Sequence, residues 1–84
     1  MYKRKIGVSI IQKDNQFYII DGSQIYKGNE LSARILALCN GKNSENEIIE
    51  KLAQKFPVSK QVLETDVNNF LNELIEANLI IHTS

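Results

Sequence analysis

Cysteine and histidine, the side chains that most often carry catalysis or bind metal ions, each occur once in this sequence. Cys39 ends a run of apolar residues, where a thiol packs as a small apolar side chain. His82 lies near the C-terminus, where a chain rarely holds a ligand with the precision that catalysis demands. One cysteine and one distant histidine form neither a disulfide nor a zinc site. The sequence therefore predicts no catalytic residue, no metal and no cofactor, and we expect that the protein is not an enzyme.

Asp66 is the carboxylate with the most informative position. Its apolar neighbours in sequence are Val62, Leu63, Val67 and Phe70. A carboxylate close to an apolar face is costly to bury without donors, so Asp66 either accepts structural hydrogen bonds or contacts a ligand. Residues 60–78 around it hold one lysine and four acidic residues. This charge indicates either a solvated acidic face or a peptide groove in which Glu64 and Asp66 select the charge of a partner.

The overall charge makes nucleic acid an unfavourable partner. Ten basic and ten acidic residues cancel, so the chain lacks the positive field that drives binding to phosphates. Residues 1–42 hold seven basic and three acidic residues, and residues 43–84 hold three and seven. No apolar run approaches the ~20 residues that span a bilayer, so no membrane partner is expected. With a single cysteine, these features favour a cytoplasmic protein.

Three short strands are predicted in the first third of the chain. Residues 6–12 and 17–21 are rich in β-branched and aromatic side chains and are separated by a polar turn. An Asp-Gly turn then precedes a third run at residues 24–27. We expect this last strand to lie at the edge of the sheet with unpaired backbone groups, and Tyr26 to be exposed there.

After Gly28 the apolar period changes to that of helices. Helices are predicted at residues 30–39, 45–55 and 60–77, with Asn29, Ser44 and Ser59 as N-caps. Residues 79–82 read as a short terminal strand or wing. The length of 84 residues and the 43% share of hydrophobic residues fit a single domain over residues 1–84. The predicted fold class is α+β and winged-helix-like: an N-terminal three-stranded antiparallel sheet, three helices and a short C-terminal strand.

Three segments of the second half, taken together, resemble a known family. They are a helix that ends in a glycine turn (29–41), the capped helix with the sequence EIIEKLA (47–53), and the Asp-Val-x-x-Phe-Leu-x-x-Leu helix followed by Asn-Leu-Ile (66–80). Their order over residues 6–82 resembles the PqqD-like family, the precursor peptide recognition elements of ribosomally synthesised and post-translationally modified peptides (RiPPs). Asn78 stands where the family usually has glycine, and asparagine also enters the left-handed region.

The resemblance implies a non-catalytic module that binds the leader segment of a ribosomally synthesised precursor peptide. In such modules the leader adds as an antiparallel strand to the third strand and lies against the third helix, a mode known as β-augmentation. Carried onto this sequence, the strand edge would comprise Gln24, Ile25, Tyr26 and Lys27, and the helix wall would comprise Leu63, Asp66, Val67, Phe70 and Leu74.

The resemblance also implies a partner for the bound leader. A freestanding module of this size is similar to the split leader-binding proteins of lasso-peptide clusters, which deliver the precursor to a separate tailoring enzyme or leader peptidase. Two alternatives remain open: a winged-helix DNA-binding regulator whose Lys3, Arg4 and Lys5 contact phosphates, and a protein-protein adaptor that uses the same strand edge. An open edge can also pair with a second copy, so both a monomer and a homodimer are compatible with the sequence.

Overall fold

The chain forms two small antiparallel sheets and three helices in the computed structural model, which describes residues 1–83. The elements in chain order are β1 (Tyr2–Arg4), β2 (Val8–Lys13), β3 (Gln16–Asp21), β4 (Gln24–Gly28), α1 (Glu30–Leu38), α2 (Glu45–Ala53), α3 (Lys60–Glu76) and β5 (Ile80–His82). The predicted α+β class and the order of meander, three helices and terminal strand are confirmed. The helices end one to two residues earlier than predicted.

The larger sheet is a meander in the order β2-β3-β4. Its register places Ile10 opposite Ile19, and Ile19 opposite Tyr26. The first turn is tight because Asp14 and Asn15 both adopt the left-handed conformation, with φ of 53° and 64°. Within residues 1–83, β4 pairs on one side alone, so the predicted edge strand is confirmed.

A second sheet, absent from the sequence-based prediction, joins the two ends of the described chain. Strand β1 pairs antiparallel with β5, with Tyr2 opposite His82 and Arg4 opposite Ile80. The aromatic rings of Tyr2 and His82 lie with their centroids 4.8 Å apart. Residues 80–82 therefore form a paired strand rather than a wing, and the winged-helix description fits the molecule only loosely.

Arg4 caps helix α1 from the neighbouring strand. Its Nη1 donates hydrogen bonds to the carbonyl oxygens of Leu36 at 2.8 Å and Ala37 at 3.0 Å. The last turn of α1 has no basic residue of its own, so this guanidinium supplies the positive charge that the C-terminal end of a helix favours. Of the basic cluster at residues 3–5, which the sequence analysis considered for phosphate contacts, Arg4 is therefore engaged in a structural interaction.

The helix caps follow the predicted pattern. Ser44 and Glu47 form a reciprocal capping box at the start of α2, and the Ser44 hydroxyl accepts the Glu47 N–H at 3.2 Å. The hydrogen bond from the Ser44 backbone to the Glu47 carboxylate lowers the pKa of that group. Asn78, with φ of 59°, ends α3 and turns the chain towards β5.

None of the three helices is long and apolar enough to cross a bilayer in the described chain.

One core gathers the apolar faces of all three helices with Ile19, Leu79 and Ile80. The helices contribute the buried side chains of Ile35, Leu36, Ile48, Ile49, Leu52, Leu63, Val67, Leu71 and Leu74. Cys39 lies within this cluster at 0% exposure, and its thiol donates to the Ile35 carbonyl oxygen at 3.3 Å. Burial raises the pKa of the Cys39 thiol to about 12, which fits the predicted packing role.

The capping role of Arg4 predicts a loss of stability when its guanidinium is removed. Arg4→Ala breaks two hydrogen bonds from a charged donor and should lower the free energy of unfolding by about 1–2 kcal/mol. Lys5→Ala is the matched control, because it removes a neighbouring positive charge from an exposed side chain. Urea denaturation followed by circular dichroism measures both variants. Equal stability of the two variants would contradict the capping role.

The buried thiol predicts that Cys39 is inert in the folded protein. A pKa of about 12 leaves roughly one thiol in ten thousand ionised at pH 8, and the core also blocks access to it. Ellman's reagent at pH 8 should therefore detect no thiol in the native protein within minutes, and one thiol per chain in guanidinium. Rapid stoichiometric reaction of the native protein would show that this part of the core opens readily.

Candidate functional site

A groove of about 740 Å³ lies between strand β4, the start of helix α1 and helix α3. Five of the residues proposed from the sequence line it, and they come from both sides. They are Tyr26, Lys27, Asp66, Phe70 and Leu74. The groove therefore brings together the edge strand and the long helix that the sequence identified separately.

The floor of the groove is apolar because it is the outer layer of the core. Ile19 and Ile35 are almost fully buried beneath it, and Leu31 and Phe70 are half-buried at its surface. Half-buried apolar side chains at the bottom of a groove gain further burial when a ligand covers them. The arrangement suits apolar side chains of a ligand.

The helix wall differs in part from the predicted one. Leu63 and Val67 are 0% exposed. They anchor α3 in the core and do not line the groove. The wall consists instead of one stripe of α3 at three- and four-residue spacing. Its members are Asp66, Asn69, Phe70, Glu73, Leu74 and Ala77.

Sequence reasoning missed Asn69, Glu73 and Ala77 because Asp66 was the one polar residue that it placed on the helix wall, and the other four were apolar. The core stripe was recognisable from its hydrophobic period, whereas half of the groove stripe is polar. Counting three residues onward from Asp66 and then four more would have found Asn69 and Glu73, since side chains at this spacing share a helix face.

The strand wall begins at Tyr26. Its side chain shares a face of the sheet with Ile19, because the two residues are paired. Ile25 is 66% exposed and pairs with Ile20 on the other face, and neither Gln24 nor Ile25 lines the groove. Side chains alternate along a strand, so Ile25 and Lys27 lie on the face opposite to Tyr26. At the strand edge, Ile25 and Lys27 can therefore contribute backbone N–H and C=O groups to a ligand, whereas their side chains lie on the other face of the sheet.

The junction between β4 and α1 fixes one end of the groove. Asn29 and Ser32 form a reciprocal capping box: the Asn29 N–H donates to Ser32 Oγ, and the Ser32 N–H donates to Asn29 Oδ1, each at 2.8 Å. Ser32 Oγ also donates to the Asn29 carbonyl oxygen at 2.9 Å. A Cβ atom at Gly28 would lie 2.5 Å from this hydroxyl, so only glycine allows so close an approach of strand and cap.

Asp66 does not have the structural role considered from the sequence. It is exposed, and among residues 1–83 it takes part in no side-chain hydrogen bond or ion pair. Glu73 is likewise exposed on the same stripe, whereas Glu64 lies outside the groove. The groove therefore has two free carboxylates on its helix wall.

The groove has the chemistry of a binding site. No three His, Cys, Asp or Glu side chains of the described chain come close enough together to hold a metal ion. The one histidine packs on Tyr2, and the one cysteine is buried in the core. What remains is an unpaired strand edge, an apolar floor and a polar helix wall, which define a small α+β binding domain.

The family is shown by direct comparison. The family model described as coenzyme PQQ synthesis protein D (PqqD) matches residues 18–80, most of the chain. The chain belongs to this family, as the resemblance of its sequence implied. The PqqA binding protein of Gluconobacter oxydans (strain 621H) is 34% identical over 82 residues, which cover 98% of this chain and 76% of that protein.

Solved structures with the same fold include proteins described with leader peptides. TbiB1 in complex with the TbiA(beta) leader peptide superimposes with a TM-score of 0.78 at 18% identity, covering 98% of each chain. The PqqD truncation of Methylobacterium extorquens PqqCD, described as a functional and stand-alone RiPP recognition element, gives 0.81 at 17% identity, covering 96% of this chain and 88% of that one. At these identities the likeness establishes the fold.

The close approach at Gly28 predicts a specific double-mutant result. Gly28→Ala should lower the free energy of unfolding by about 1–2 kcal/mol, because the added methyl group displaces the Ser32 hydroxyl from its capping box. Ser32→Ala loses the same cap, so adding Gly28→Ala to it should cost little more. Thermal unfolding of the two single variants and the double variant measures the coupling. Additive losses would show that Gly28 is required for another reason.

Proposed function

We propose that this protein is a recognition element that captures the leader segment of a ribosomally synthesised precursor peptide in the groove between β4 and α3. The observation that carries the proposal is the unpaired edge of β4, which faces a helix across a groove with an apolar floor. Membership of the PqqD family supports the ligand class. The module acts by binding and has no catalytic step of its own.

Strand addition is the binding mode that this geometry supports best. Asp21 and Gln24 flank a two-residue turn that begins at Gly22, with φ of 60°. The pair that closes such a turn exchanges backbone hydrogen bonds, and hydrogen-bonded and non-hydrogen-bonded pairs then alternate along the hairpin. By this alternation the N–H and C=O groups of Ile25 and Lys27 point away from β3. They are the groups that an added antiparallel strand would bind.

Side chains of the bound segment supply the specificity in this mode. Alternate residues of an added strand would face the groove, where the half-buried side chains of Phe70 on α3 and Leu31 on α1 offer apolar contact. The remaining residues face solvent and are free to vary. The resulting affinity is spread over main-chain hydrogen bonds and a small number of apolar contacts.

Binding of the leader raises the local concentration of the precursor at an enzyme. We propose that the partner is a separate tailoring enzyme or leader peptidase, as in the split leader-binding proteins that the sequence resembles, and that residues 1–84 act as one recognition unit. A tethered precursor meets the enzyme in an effectively intramolecular encounter, which accelerates reaction without any new chemistry in this protein.

The DNA-binding alternative finds no support in the described chain. Arg4, the central residue of the basic cluster, is engaged at the end of α1, and α3 presents carboxylates where a recognition helix would meet phosphates. The adaptor alternative uses the same strand edge, and the peptide-binding experiment below separates it from leader recognition.

The strand-addition mode predicts a difference between two substitutions at one position. Lys27→Pro removes the outward N–H that an added strand requires, and an edge strand tolerates proline when that N–H faces solvent. Lys27→Ala keeps the N–H and removes the same charge, so it is the matched control. Fluorescence polarisation against leader peptides encoded beside the gene should show saturable binding to one leader. Its affinity should fall at least tenfold in Lys27→Pro and stay within about threefold in Lys27→Ala.

A scrambled leader and duplex DNA serve as further controls, and circular dichroism verifies that both variants are folded. Equal affinity of the two variants for the leader would reject strand addition at this edge while leaving peptide binding in place. Absence of leader binding by the folded wild-type protein would reject the proposed function and favour the adaptor.

A further inference from the structure

The groove is electrostatically one-sided. Lys27, Asp66 and Glu73 are the charged residues that line it, and the two carboxylates project from the same stripe of α3. Both are exposed, and among the described residues neither lies within 4.0 Å of a Lys or Arg nitrogen. Their charge is therefore available to a ligand.

The strand side leaves this negative charge uncompensated. Lys27 pairs with Tyr18, and strand alternation places its side chain on the face of the sheet opposite to Tyr26, which lies on the groove face. A segment that adds to β4 would thus face two carboxylates on α3, whereas the one cation of the lining, Lys27, extends its side chain from the opposite face of the sheet. Like charges on such a segment would be repelled, and opposite charges attracted.

The spacing of the carboxylates fits the repeat of a strand. Asp66 and Glu73 are seven residues apart on a helix, a rise of about 10.5 Å. Residues i and i+4 of a strand face the same side and are about 13 Å apart. The side chains of lysine and arginine are long and flexible enough to compensate for the difference between about 10.5 Å and about 13 Å. Phe70 lies between the two carboxylates on the same stripe of α3, and the half-buried Leu31 of α1 also lines the groove, so an apolar residue suits position i+2.

We infer that the captured segment is cationic on the face that meets α3: an apolar residue with lysine or arginine two positions before it and two positions after it. This inference rests on the proposed function and names the chemistry of its ligand. Asp66 and Glu73 select the charge, and the apolar floor between them holds the central residue. Acidic segments are rejected even when their backbone can pair with β4.

Selection from a random-peptide display library tests the inference and does not require that the natural leader be identified first. The wild-type protein should enrich peptides with the alternating pattern of basic, apolar and basic residues. The groove variant Asp66→Lys/Glu73→Lys should enrich acidic residues at the same positions. The control variant Glu64→Lys/Glu76→Lys makes the same charge change at exposed positions of α3 outside the groove and should retain the wild-type preference.

Affinity measurements on one enriched peptide quantify the effect. Asp66→Asn/Glu73→Gln should weaken its binding roughly tenfold, since two partly screened ion pairs are lost, and Glu64→Gln/Glu76→Gln should leave it within about twofold. The wild-type affinity should also fall as salt is raised.

Two failures are distinguishable. Enrichment of strand-forming peptides without a basic preference, or a preference that survives in the groove variant, would overturn this inference while peptide capture stands. If folded wild-type protein enriches no peptide, the proposed function fails, and this inference fails with it.

Discussion

The contact between the end of β4 and the cap of α1 is the constraint on which the groove depends. Gly28 brings the strand against the Ser32 hydroxyl, and that hydroxyl is held in place by Asn29. The strand is thus fixed beside the helical core at one end, while its outer edge receives no neighbour within residues 1–83. Backbone packing at this junction therefore sets the position of β4 relative to the helices that form the other side of the groove.

Helix α3 serves two surfaces at once. One stripe, with Leu63, Val67 and Leu71, is fully buried against α1 and α2. The neighbouring stripe, from Asp66 to Ala77, lines the groove. Because both stripes belong to one rigid helix, the core determines where the groove side chains lie relative to β4. Asp66, Asn69 and Glu73 of the second stripe are exposed, so their polar side chains carry no cost of burial in the core. These positions could therefore set the proposed specificity for a peptide.

Much of this arrangement is predictable from local signals in the sequence. The caps at Asn29, Ser44 and Ser59 and the turn at Asn78 depend on side chains that bind their own backbone neighbourhood, so their chemistry is visible in the sequence. The β1–β5 pairing was not predictable, because a three-residue strand with two exposed or half-exposed cations has no recognisable pattern until a distant partner defines it. The family resemblance assigned Leu63 and Val67 to the helix wall, but the structure buries both side chains in the core. Hydrophobic periodicity identifies the buried side of a helix, and a binding wall lies beside that side rather than on it.

The charged residues divide in a similar way: some stabilise the fold, and others remain free at the surface. The sequence is neutral overall, and a neutral chain has no long-range field with which to attract a partner. Several of its charges are also engaged locally: Arg4 caps α1, Glu47 caps α2, and Lys60 pairs with Glu50. Charges that remain free within the groove would therefore act at short range in the proposed mode, after a segment has begun to pair with β4. In the proposed binding mode, pairing of the backbone would give affinity with little regard to sequence, and Asp66 and Glu73 would then discriminate among the strands that have docked. In the proposed mode, a protein without net charge would choose among peptides at short range, since it lacks the overall positive field that draws in nucleic acid.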